Sequence, residues 1–188
     1  MTDSAINTSD SFKTPRTGLV TVFTGDGKGK TTAAIGTAVR AVGYGLSVYI
    51  VFFLKGRMFS QGEVRALSHL PGVTTESYGT TEWVIKGRTS NDANKQAAKA
   101  LAAASKAVSS GNFDLVIMDE INGALDFGLI PLNEVVKLIS SRPASVDLIL
   151  TGRHANNKIV EMADIVTEMV NVKHAYDRGV AAREGIDY

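Results

Sequence analysis

One short stretch predicts the architecture of the whole chain: Thr24-Gly25-Asp26-Gly27-Lys28-Gly29-Lys30-Thr31-Thr32. A β-branched run precedes it and a helix-compatible run follows it. Such a loop between a strand and a helix is typical of phosphate binding, because glycines let backbone N–H groups converge on a polyphosphate at the positively polarised helix N-terminus. We therefore predict that this loop binds nucleotide phosphate, with Lys30 neutralising phosphate charge and the Thr31 hydroxyl ligating Mg²⁺.

One position departs from the general pattern G-x-x-x-x-G-K-[ST]. Counted back from Gly29, the first glycine of the pattern is replaced by Thr24. The alternative interpretation is a glycine turn that only joins the strand to the helix, with Lys30 as a solvated residue of the first helical turn. The Gly-Lys-Thr ending, the preceding strand and the following helix together favour phosphate binding.

Outward from the loop, short β-branched runs alternate with helix-like stretches, which predicts βαβ units. Strands are predicted at 19–24, 47–54, 73–78, 114–118, 146–150 and 165–169. The runs 48–54 and 115–118 are apolar on both faces, as in central parallel strands covered by helices on each side. Helices are predicted in the Ala-rich stretch 93–107 and after Pro131. The expected fold is α/β, with a mostly parallel central sheet and helices on both faces, in the phosphate-loop NTPase (RecA-like) architecture.

Composition restricts the range of partners. The chain has 188 residues, with 20 Lys or Arg against 19 Asp or Glu, and no Cys. A net charge of +1 offers no basic excess for nucleic acid, and no apolar run reaches the length of a membrane span. The lack of Cys excludes disulfides, thiolate metal sites and a cysteine nucleophile. We predict a flexible polar leader at 1–17, a single nucleotide-binding catalytic domain at 18–188 and, without a signal-peptide pattern, a cytoplasmic location.

A second element of nucleotide chemistry ends the predicted strand at 114–118. There Leu115-Val116-Ile117-Met118 leads directly into Asp119 and Glu120. The carboxyl ends of parallel strands form the ligand crevice, so both acids are expected beside the loop, where they can hold Mg²⁺. The alternative is that one of them caps the next turn. No Asn-Lys-x-Asp guanine reader is present, since the nearest string is Asn157-Lys158-Ile159-Val160, and this argues against a regulatory GTPase.

Several strings together are similar to one family, the ATP-dependent corrinoid (cobalamin) adenosyltransferases of the phosphate-loop type. The resemblance runs from about Thr21 to Tyr188, and the Thr24 departure is similar to the family's own loop. The matching strings are Phe23-Thr24-Gly25-Asp26-Gly27-Lys28-Gly29-Lys30-Thr31-Thr32-Ala33-Ala34, Val39-Arg40-Ala41-Val42-Gly43-Tyr44-Gly45, Phe53-Leu54-Lys55-Gly56, Asp119-Glu120-Ile121, Leu150-Thr151-Gly152-Arg153, Ala163-Asp164-Ile165-Val166-Thr167-Glu168-Met169, Lys173-His174-Ala175-Tyr176 and Gly185-Ile186-Asp187-Tyr188.

The resemblance implies an enzyme that transfers the 5′-deoxyadenosyl group of ATP to the cobalt of a reduced corrinoid, cob(I)alamin or cobyrinate diamide, with release of triphosphate. By position, Thr31 and Glu120 would hold Mg²⁺ with Asp119 as a near neighbour. Lys30 and Thr32 would bind phosphate. The remaining loop residues from Thr24 to Gly29 would bind the nucleotide, with Lys28 and Arg153 as further triphosphate contacts. Lys55 and Arg153 each follow a predicted strand end, where a polar side chain can reach the nucleotide crevice. For Lys55 and Arg153, and for Lys173 and His174 near the C-terminus, ordinary solvation is the alternative.

The corrinoid side departs from the family. Some members carry a Gly-Phe-Thr-Trp string, whose aromatic residues are thought to crowd the lower face of the corrin. Here the region reads Tyr78-Gly79-Thr80-Thr81-Glu82-Trp83-Val84, so Trp83 is the candidate catalytic aromatic residue and Tyr78 a distant second, with core packing as the alternative.

Partners follow from the resemblance and from what the sequence lacks. Without Cys or a flavin or nicotinamide motif, the chain is expected to need an external reductase, a flavoprotein, and the resemblance implies a homodimer. Two other functions stay open at this point. They are a phosphate-loop ATPase or kinase with another acceptor, and a binding protein that delivers adenosylcorrinoid.

Overall fold

Six parallel strands form the centre of the molecule. The computed structural model describes residues 17–56, 62–81, 84 and 86–187. The strands are β1 Val20–Thr24, β2 Val48–Phe52, β3 Val73–Ser77, β4 Leu115–Asp119, β5 Asp147–Thr151 and β6 Ile165–Glu168. They lie in one sheet in the order β3-β2-β4-β5-β1-β6, and every neighbouring pair is parallel. The predicted α/β fold is confirmed. Residues 1–16 of the predicted leader lie outside the described residues.

Helices connect the strands. They are α1 Lys30–Gly43, α2 Gly62–Leu67, α3 Asn91–Ser109, α4 Ile121–Asp126, α5 Leu132–Ser141 and α6 Asn157–Met162, followed by a 3₁₀ helix at Ala175–Arg178. The Ala-rich stretch is the helix that was predicted. It starts where the Ser90 side chain accepts a hydrogen bond from the Ala93 N–H at 3.1 Å, an ordinary N-cap. Pro131 stands immediately before α5, again as predicted.

Two apolar clusters cover the two faces of the sheet. Each residue of β2 and β4 is buried, and alternate residues belong to opposite clusters. On one face Ile50 and Ile117 pack with Ala34 and Ala38 of α1. On the other, Val51 and Met118 share a cluster with α3, α5 and α6. The doubly apolar sequence of these strands is thus explained by burial of both faces, which contributes about 1.5–3 kcal/mol for each large side chain.

The carboxyl ends of the strands meet at one edge of the sheet, and the backbone is strained there. Among the described residues, the non-glycine positions with positive φ are Leu54 (61°), Glu120 (63°) and His154 (53°). Each follows a strand, β2, β4 and β5 respectively. Such conformations cost energy and persist where the surrounding structure imposes them, so this edge is where a functional site is expected. In the part of the chain that the structure describes, no helix is long and apolar enough to cross a membrane.

Candidate active site

A cavity of about 860 Å³ opens at the carboxyl edge of the sheet, beside the loop after β1. It has the size of a small-molecule site. Most of the sequence-predicted residues line it together: Asp26, Gly27, Lys28, Gly29, Lys30, Thr31, Thr32, Glu120 and Arg153, with Lys173 and His174. The structure therefore brings the loop, one strand-end carboxylate and one strand-end arginine to a single surface.

Lys30 is held at the centre of the loop. Its side chain is buried, and Nζ donates hydrogen bonds of 2.7 Å to the carbonyl oxygens of both Gly25 and Gly27. Burial lowers the pKa of Lys30, while the nearby Glu120 carboxylate opposes that shift. The loop carbonyls and Glu120 thus fix the position of an ammonium group that a polyphosphate can reach.

The start of α1 is open to an anion. Gly29 is its N-cap with φ 121°, no side chain caps it, and its first turn has no acidic residue. The first N–H groups of a helix have no intrahelical partner, and they carry partial positive charge. The loop and α1 therefore present a surface suited to an anion, and Lys30, Thr31 and Thr32 lie side by side on it.

The loop glycines are also required by a chain that crosses behind them. We call residues 169–187 the C-terminal strap. A Cβ on Gly27 would lie 2.7 Å from the carbonyl oxygens of both Met169 and Val170, and one on Gly25 would lie 2.5 Å from that of Met169. The Gly27 N–H donates to the Met169 carbonyl at 2.6 Å. Any side chain at these two positions would push the strap away from the loop.

The far end of the strap returns to the same loop. Lys28 Nζ donates to the Ile186 carbonyl at 3.1 Å and lies 2.9 Å from Asp187 Oδ1. Hydrogen bonds from Lys28 and then Arg183 hold the pKa of Asp187 well below its usual range. Lys28 therefore joins the loop to the strap, and its predicted contact with triphosphate stays a prediction.

Asp119 is buried and fully engaged by protein groups. Thr151 Oγ1 donates to its Oδ1 at 2.7 Å, and Lys55 Nζ lies 2.8 Å from its Oδ2. Burial alone would lower the pKa of Lys55, but Asp119, and after it Glu63, outweigh burial and raise it. Lys55 is thus directed at Asp119. Its predicted place among the nucleotide-binding residues has no support from this geometry and stays untested.

Glu120 faces the cavity instead. It occupies the N-cap position of α4, yet its side chain makes no capping hydrogen bond, contrary to the alternative interpretation of this acid. Its N–H donates to Thr151 Oγ1 at 2.9 Å. A Cβ on Gly123 or Gly152 would lie 3.1 or 3.2 Å from Glu120 Oε2, so these two glycines leave room for the carboxylate. Burial, and then the Asp119 charge, raise the pKa of Glu120.

The donors at the cavity suit Mg²⁺. Glu120 supplies a carboxylate and Thr31 a hydroxyl, while Asp119 is buried and paired with Thr151. The described residues contain no group of three or more His, Cys, Asp or Glu that could hold a metal ion by themselves. Magnesium commonly uses one or two protein oxygens together with substrate phosphates and water, rather than an all-protein cage. The residues present therefore fit a magnesium ion that arrives with a nucleotide.

Thr24 and Arg153 occupy different parts of this edge. The Thr24 hydroxyl accepts a hydrogen bond from the Ala155 N–H at 3.1 Å, and this explains why a residue with a hydroxyl replaces the first glycine of the general pattern. Arg153 lies over the loop, with Nε 3.8 Å from Asp26 Oδ1 and a terminal nitrogen 3.5 Å from the Asp26 carbonyl oxygen. The candidate aromatic residue Trp83 lies outside the described residues. Tyr78 donates a hydrogen bond to Glu76.

Sequence reasoning missed part of the cavity wall. Asp126 and Phe127 at the end of α4, His154 after β5, and Tyr176 and Asp187 of the strap also line it. His154 and Arg153 share the same strand-end position, so the rule that pointed to Arg153 also applies to its neighbour. For Asp126 and Asp187 the sequence gives no comparable signal, because their position depends on how a helix end and the strap pack.

The sequence matches, over residues 16–188, the family described as ATP:corrinoid adenosyltransferase BtuR/CobO/CobP. The chain belongs to this family. It is 41% identical over 172 residues to a corrinoid adenosyltransferase of Escherichia coli (strain K12), covering 91% of this chain and 86% of the relative. It is 40% identical over 176 residues, with the same coverage, to corrinoid adenosyltransferase CobA of Salmonella typhimurium. A corrinoid adenosyltransferase of Pseudomonas aeruginosa is 36% identical over 174 residues, covering 91% of this chain and 84% of that relative.

Family membership confirms the resemblance to the corrinoid adenosyltransferases, and with it the predicted adenosyltransferase activity and enzyme class. ATP and a corrinoid are the substrates of this family by its description. The roles assigned to single residues, the magnesium ion, the reductase and the dimer remain predictions, and they are developed below.

Proposed function

We propose that the chain uses the cavity beside β1 to transfer the 5′-deoxyadenosyl group of ATP to the cobalt of a reduced corrinoid, either cob(I)alamin or reduced cobyrinate diamide, with release of triphosphate. One observation supports the assignment of this cavity as the place where the reaction occurs. The phosphate-binding loop, the N-terminus of α1, Glu120 and Arg153 face the same cavity of about 860 Å³. These groups are suited to a polyanion and its metal ion, and they belong to a chain of the adenosyltransferase family.

The reaction makes the whole triphosphate a leaving group. The electron pair of cobalt(I) forms the bond to C5′, while the C5′–O5′ bond breaks and its electrons depart with the triphosphate, so that cobalt ends formally as cobalt(III). Charge therefore develops on the phosphate chain, where N–H donors and cations stabilise it. A base that activates water has no task in this step.

Different residues around the loop make different contacts with the triphosphate. Lys30, fixed by the Gly25 and Gly27 carbonyls, neutralises charge at the centre of the chain. The open N–H groups of α1 and the Thr32 hydroxyl donate hydrogen bonds to phosphate oxygens. Arg153 supplies a further cation when it moves from Asp26 onto the phosphate chain.

Thr31 and Glu120 would hold Mg²⁺. When bound, the metal ion supplies positive charge that stabilises the departing triphosphate. The Glu120 carboxylate has space beside Gly123 and Gly152, and its backbone is fixed by Thr151. Asp119, engaged by Thr151 and Lys55, acts as a positioning residue for Glu120 rather than as a direct ligand.

The remaining partners are proposed on the family resemblance. Trp83 is the candidate residue for the lower face of the corrin, and a separate flavoprotein is the candidate source of the reducing electron, since the chain has no Cys. A homodimer would cover the exposed apolar side chains of β6 and the strap, such as Ile165, Val170 and Val172. Size-exclusion chromatography with light scattering tests the dimer, and a monomer at micromolar concentration would refute it.

A product assay tests the function. Enzyme, ATP, Mg²⁺ and chemically reduced cob(I)alamin are mixed, and the cobalt–carbon absorbance spectrum is followed together with the phosphate products. We expect one intact triphosphate for each adenosylcorrinoid formed. Release of orthophosphate or ADP would refute the proposal in favour of an ATPase or kinase. Transfer of bound adenosylcorrinoid to a client without consumption of ATP would favour a carrier.

Lys30→Ala tests the assignment of the loop. We expect a loss of at least about 100-fold in kcat/KM, the usual effect of removing a charge-stabilising donor. Lys99→Ala, on α3 outside the cavity, is the matched control and should retain wild-type turnover. Normal turnover by Lys30→Ala would show that the loop does not bind the triphosphate.

A further inference from the structure

A histidine bridges two carboxylates on the wall of the nucleotide cavity. His154 Nδ1 lies 3.1 Å from Asp126 Oδ2 at the end of α4, and His154 Nε2 lies 3.9 Å from Asp26 Oδ1 in the phosphate-binding loop. All three residues line the cavity. None of the roles described so far uses this bridge, although it joins the loop to the far wall.

The Asp126 side of the bridge is fixed. Lys86 Nζ lies 2.6 Å from Asp126 Oδ1, and the Asp126 side chain is only 17% exposed. Hydrogen bonds from Lys86 and then from His154 lower the pKa of Asp126. Asp126 is therefore a deprotonated carboxylate, which can accept hydrogen bonds but cannot donate one. His154 Nδ1 must then carry a proton. His154 is held at φ 53°, a strained conformation that histidine tolerates better than most residues.

The Asp26 side of the bridge depends on protonation. At 3.9 Å, His154 Nε2 is too far from Asp26 for a hydrogen bond, but it is close enough for an ion pair when the ring is an imidazolium. The charged groups facing His154 are Asp126 with Lys86 behind it, Asp26 from the loop, and the adjacent Arg153, which also approaches Asp26 Oδ1 at 3.8 Å.

Asp26 is a negative charge in a loop built for an anion. Its side chain is 63% exposed and lines the cavity in which the triphosphate is proposed to bind. Like charges repel, so an unpaired Asp26 weakens binding. Lys30 also interacts electrostatically with Asp26, but its ammonium group is held by the Gly25 and Gly27 carbonyls. Once Arg153 moves onto the phosphate chain, His154 is the residue placed to pair with the Asp26 carboxylate.

We propose that His154 is a positioning residue of the phosphate-binding loop: as an imidazolium anchored by Asp126, it pairs with Asp26 and raises the affinity of the loop for the triphosphate of ATP. The inference rests on the proposed function of the loop. It goes beyond that function, because it makes ATP affinity depend on the protonation of one side chain. Affinity is highest when His154 is an imidazolium, and a neutral ring gives no such advantage.

Calorimetric titration with ATP and Mg²⁺, without corrinoid so that no turnover occurs, measures this directly. The comparison runs from about pH 5.5 to about pH 8.5, on both sides of the ordinary histidine pKa of about 6.5. The main variant is His154→Asn. Asn tolerates positive φ and can still donate to Asp126, but it has no atom at the position of Nε2. Ionisation of ATP is common to both proteins, so the ratio of their Kd values is the measured quantity.

We expect wild type to bind ATP about two- to fivefold more tightly than His154→Asn at the acid end, which corresponds to an exposed ion pair. The ratio should approach one at the alkaline end. In an Asp26→Asn background, His154→Asn should have no further effect at any pH. His154→Gln, which also keeps a side-chain amide, gives a second measurement if the Asn variant folds poorly.

The other two histidines of the chain serve as controls. His69 lies at the end of α2 and contacts the Arg65 carbonyl, so His69→Gln should behave as wild type. His174 lines the cavity and holds the 3₁₀ helix, so it is the rival source of a pH effect. The proposal is overturned if the ratio of the His154→Asn Kd to the wild-type Kd is the same at all pH values. It is also overturned if the corresponding ratio for His174→Gln depends on pH and the ratio for His154→Asn does not. Failure of wild type to bind ATP at any pH would instead refute the proposed function of the loop.

Discussion

Thr151→Val removes one hydroxyl that organises both strand-end carboxylates. Thr151 is fully buried, its Oγ1 donates to Asp119 Oδ1 at 2.7 Å, and it accepts from the Glu120 N–H at 2.9 Å. Valine keeps the shape but makes neither bond. A hydrogen bond to a charged group contributes about 1.5–3 kcal/mol, and an unpaired N–H costs about 1–3 kcal/mol. Allowing for the gain from one more buried apolar group, we expect the free energy of unfolding to fall by about 3 kcal/mol.

Urea denaturation followed by circular dichroism measures this change. For a domain of this size it corresponds to a decrease in Tm of about 6–12 °C. Thr151→Ser keeps the hydroxyl and loses one methyl group, so it should lose only about 1 kcal/mol. Thr74→Val, at an exposed position of strand β3, should change stability by less than about 0.5 kcal/mol. The reasoning would be refuted if Thr151→Val were as stable as wild type, or if Thr151→Ser were destabilised as much as Thr151→Val.

Three further results are expected. Gly27→Ala should reduce the free energy of unfolding by about 1–3 kcal/mol, because the new Cβ would lie 2.7 Å from two carbonyl oxygens. Gly36→Ala, at an open position on the surface of α1, should raise the free energy of unfolding by about 0.5–1 kcal/mol. Equal Tm values for the two variants would contradict this reasoning. Asp187→Asn removes the ion pair between Lys28 and the strap and leaves only the Lys28 hydrogen bond to the Ile186 carbonyl, so trypsin should cleave the strap faster than in wild type. An unchanged rate would show that the ion pair does not hold the strap. The hydrogen bond to Glu76 raises the pKa of Tyr78 to about 12, so the contribution of this bond to stability is complete below about pH 10 and is lost as pH rises towards 12. In Glu76→Gln the acceptor is neutral, so alkaline absorbance titration should find a lower pKa for Tyr78, moved towards the ordinary value of about 10; an unchanged pKa would contradict this.

The fold could be predicted because each central strand has a recognisable pattern of apolar residues. The runs around Ile50 and Ile117 are short, β-branched and apolar on both faces, and this pattern is typical of a parallel strand between two layers of helices. The loop from Thr24 to Thr32 was recognisable for a similar reason. Its glycines and its Gly-Lys-Thr ending serve a local conformation that the sequence encodes directly.

The rest of the site depends on packing that the sequence does not encode locally. The direction of Lys55 follows from an ion pair with Asp119, which lies 64 positions away in the chain and one strand away in the sheet. The bridge from His154 to Asp126 and Asp26 joins two loops and the end of α4, which are far apart in the chain. The strap that constrains Gly25 and Gly27 was not foreseen, because a C-terminal segment with polar and apolar residues mixed gives no periodic signal.

The contact between the loop and the strap has a consequence for biosynthesis. The ribosome makes the loop at 24–32 early and the strap at 169–187 late, yet Gly27 and Lys28 bond to the strap directly. Strands β1 and β5 can pair before the strap has left the exit tunnel, but the cavity wall formed by the strap cannot. A nascent chain can therefore fold most of its sheet while its nucleotide site is still incomplete, and ATP can stabilise the protein through the finished cavity only after the strap has left the exit tunnel.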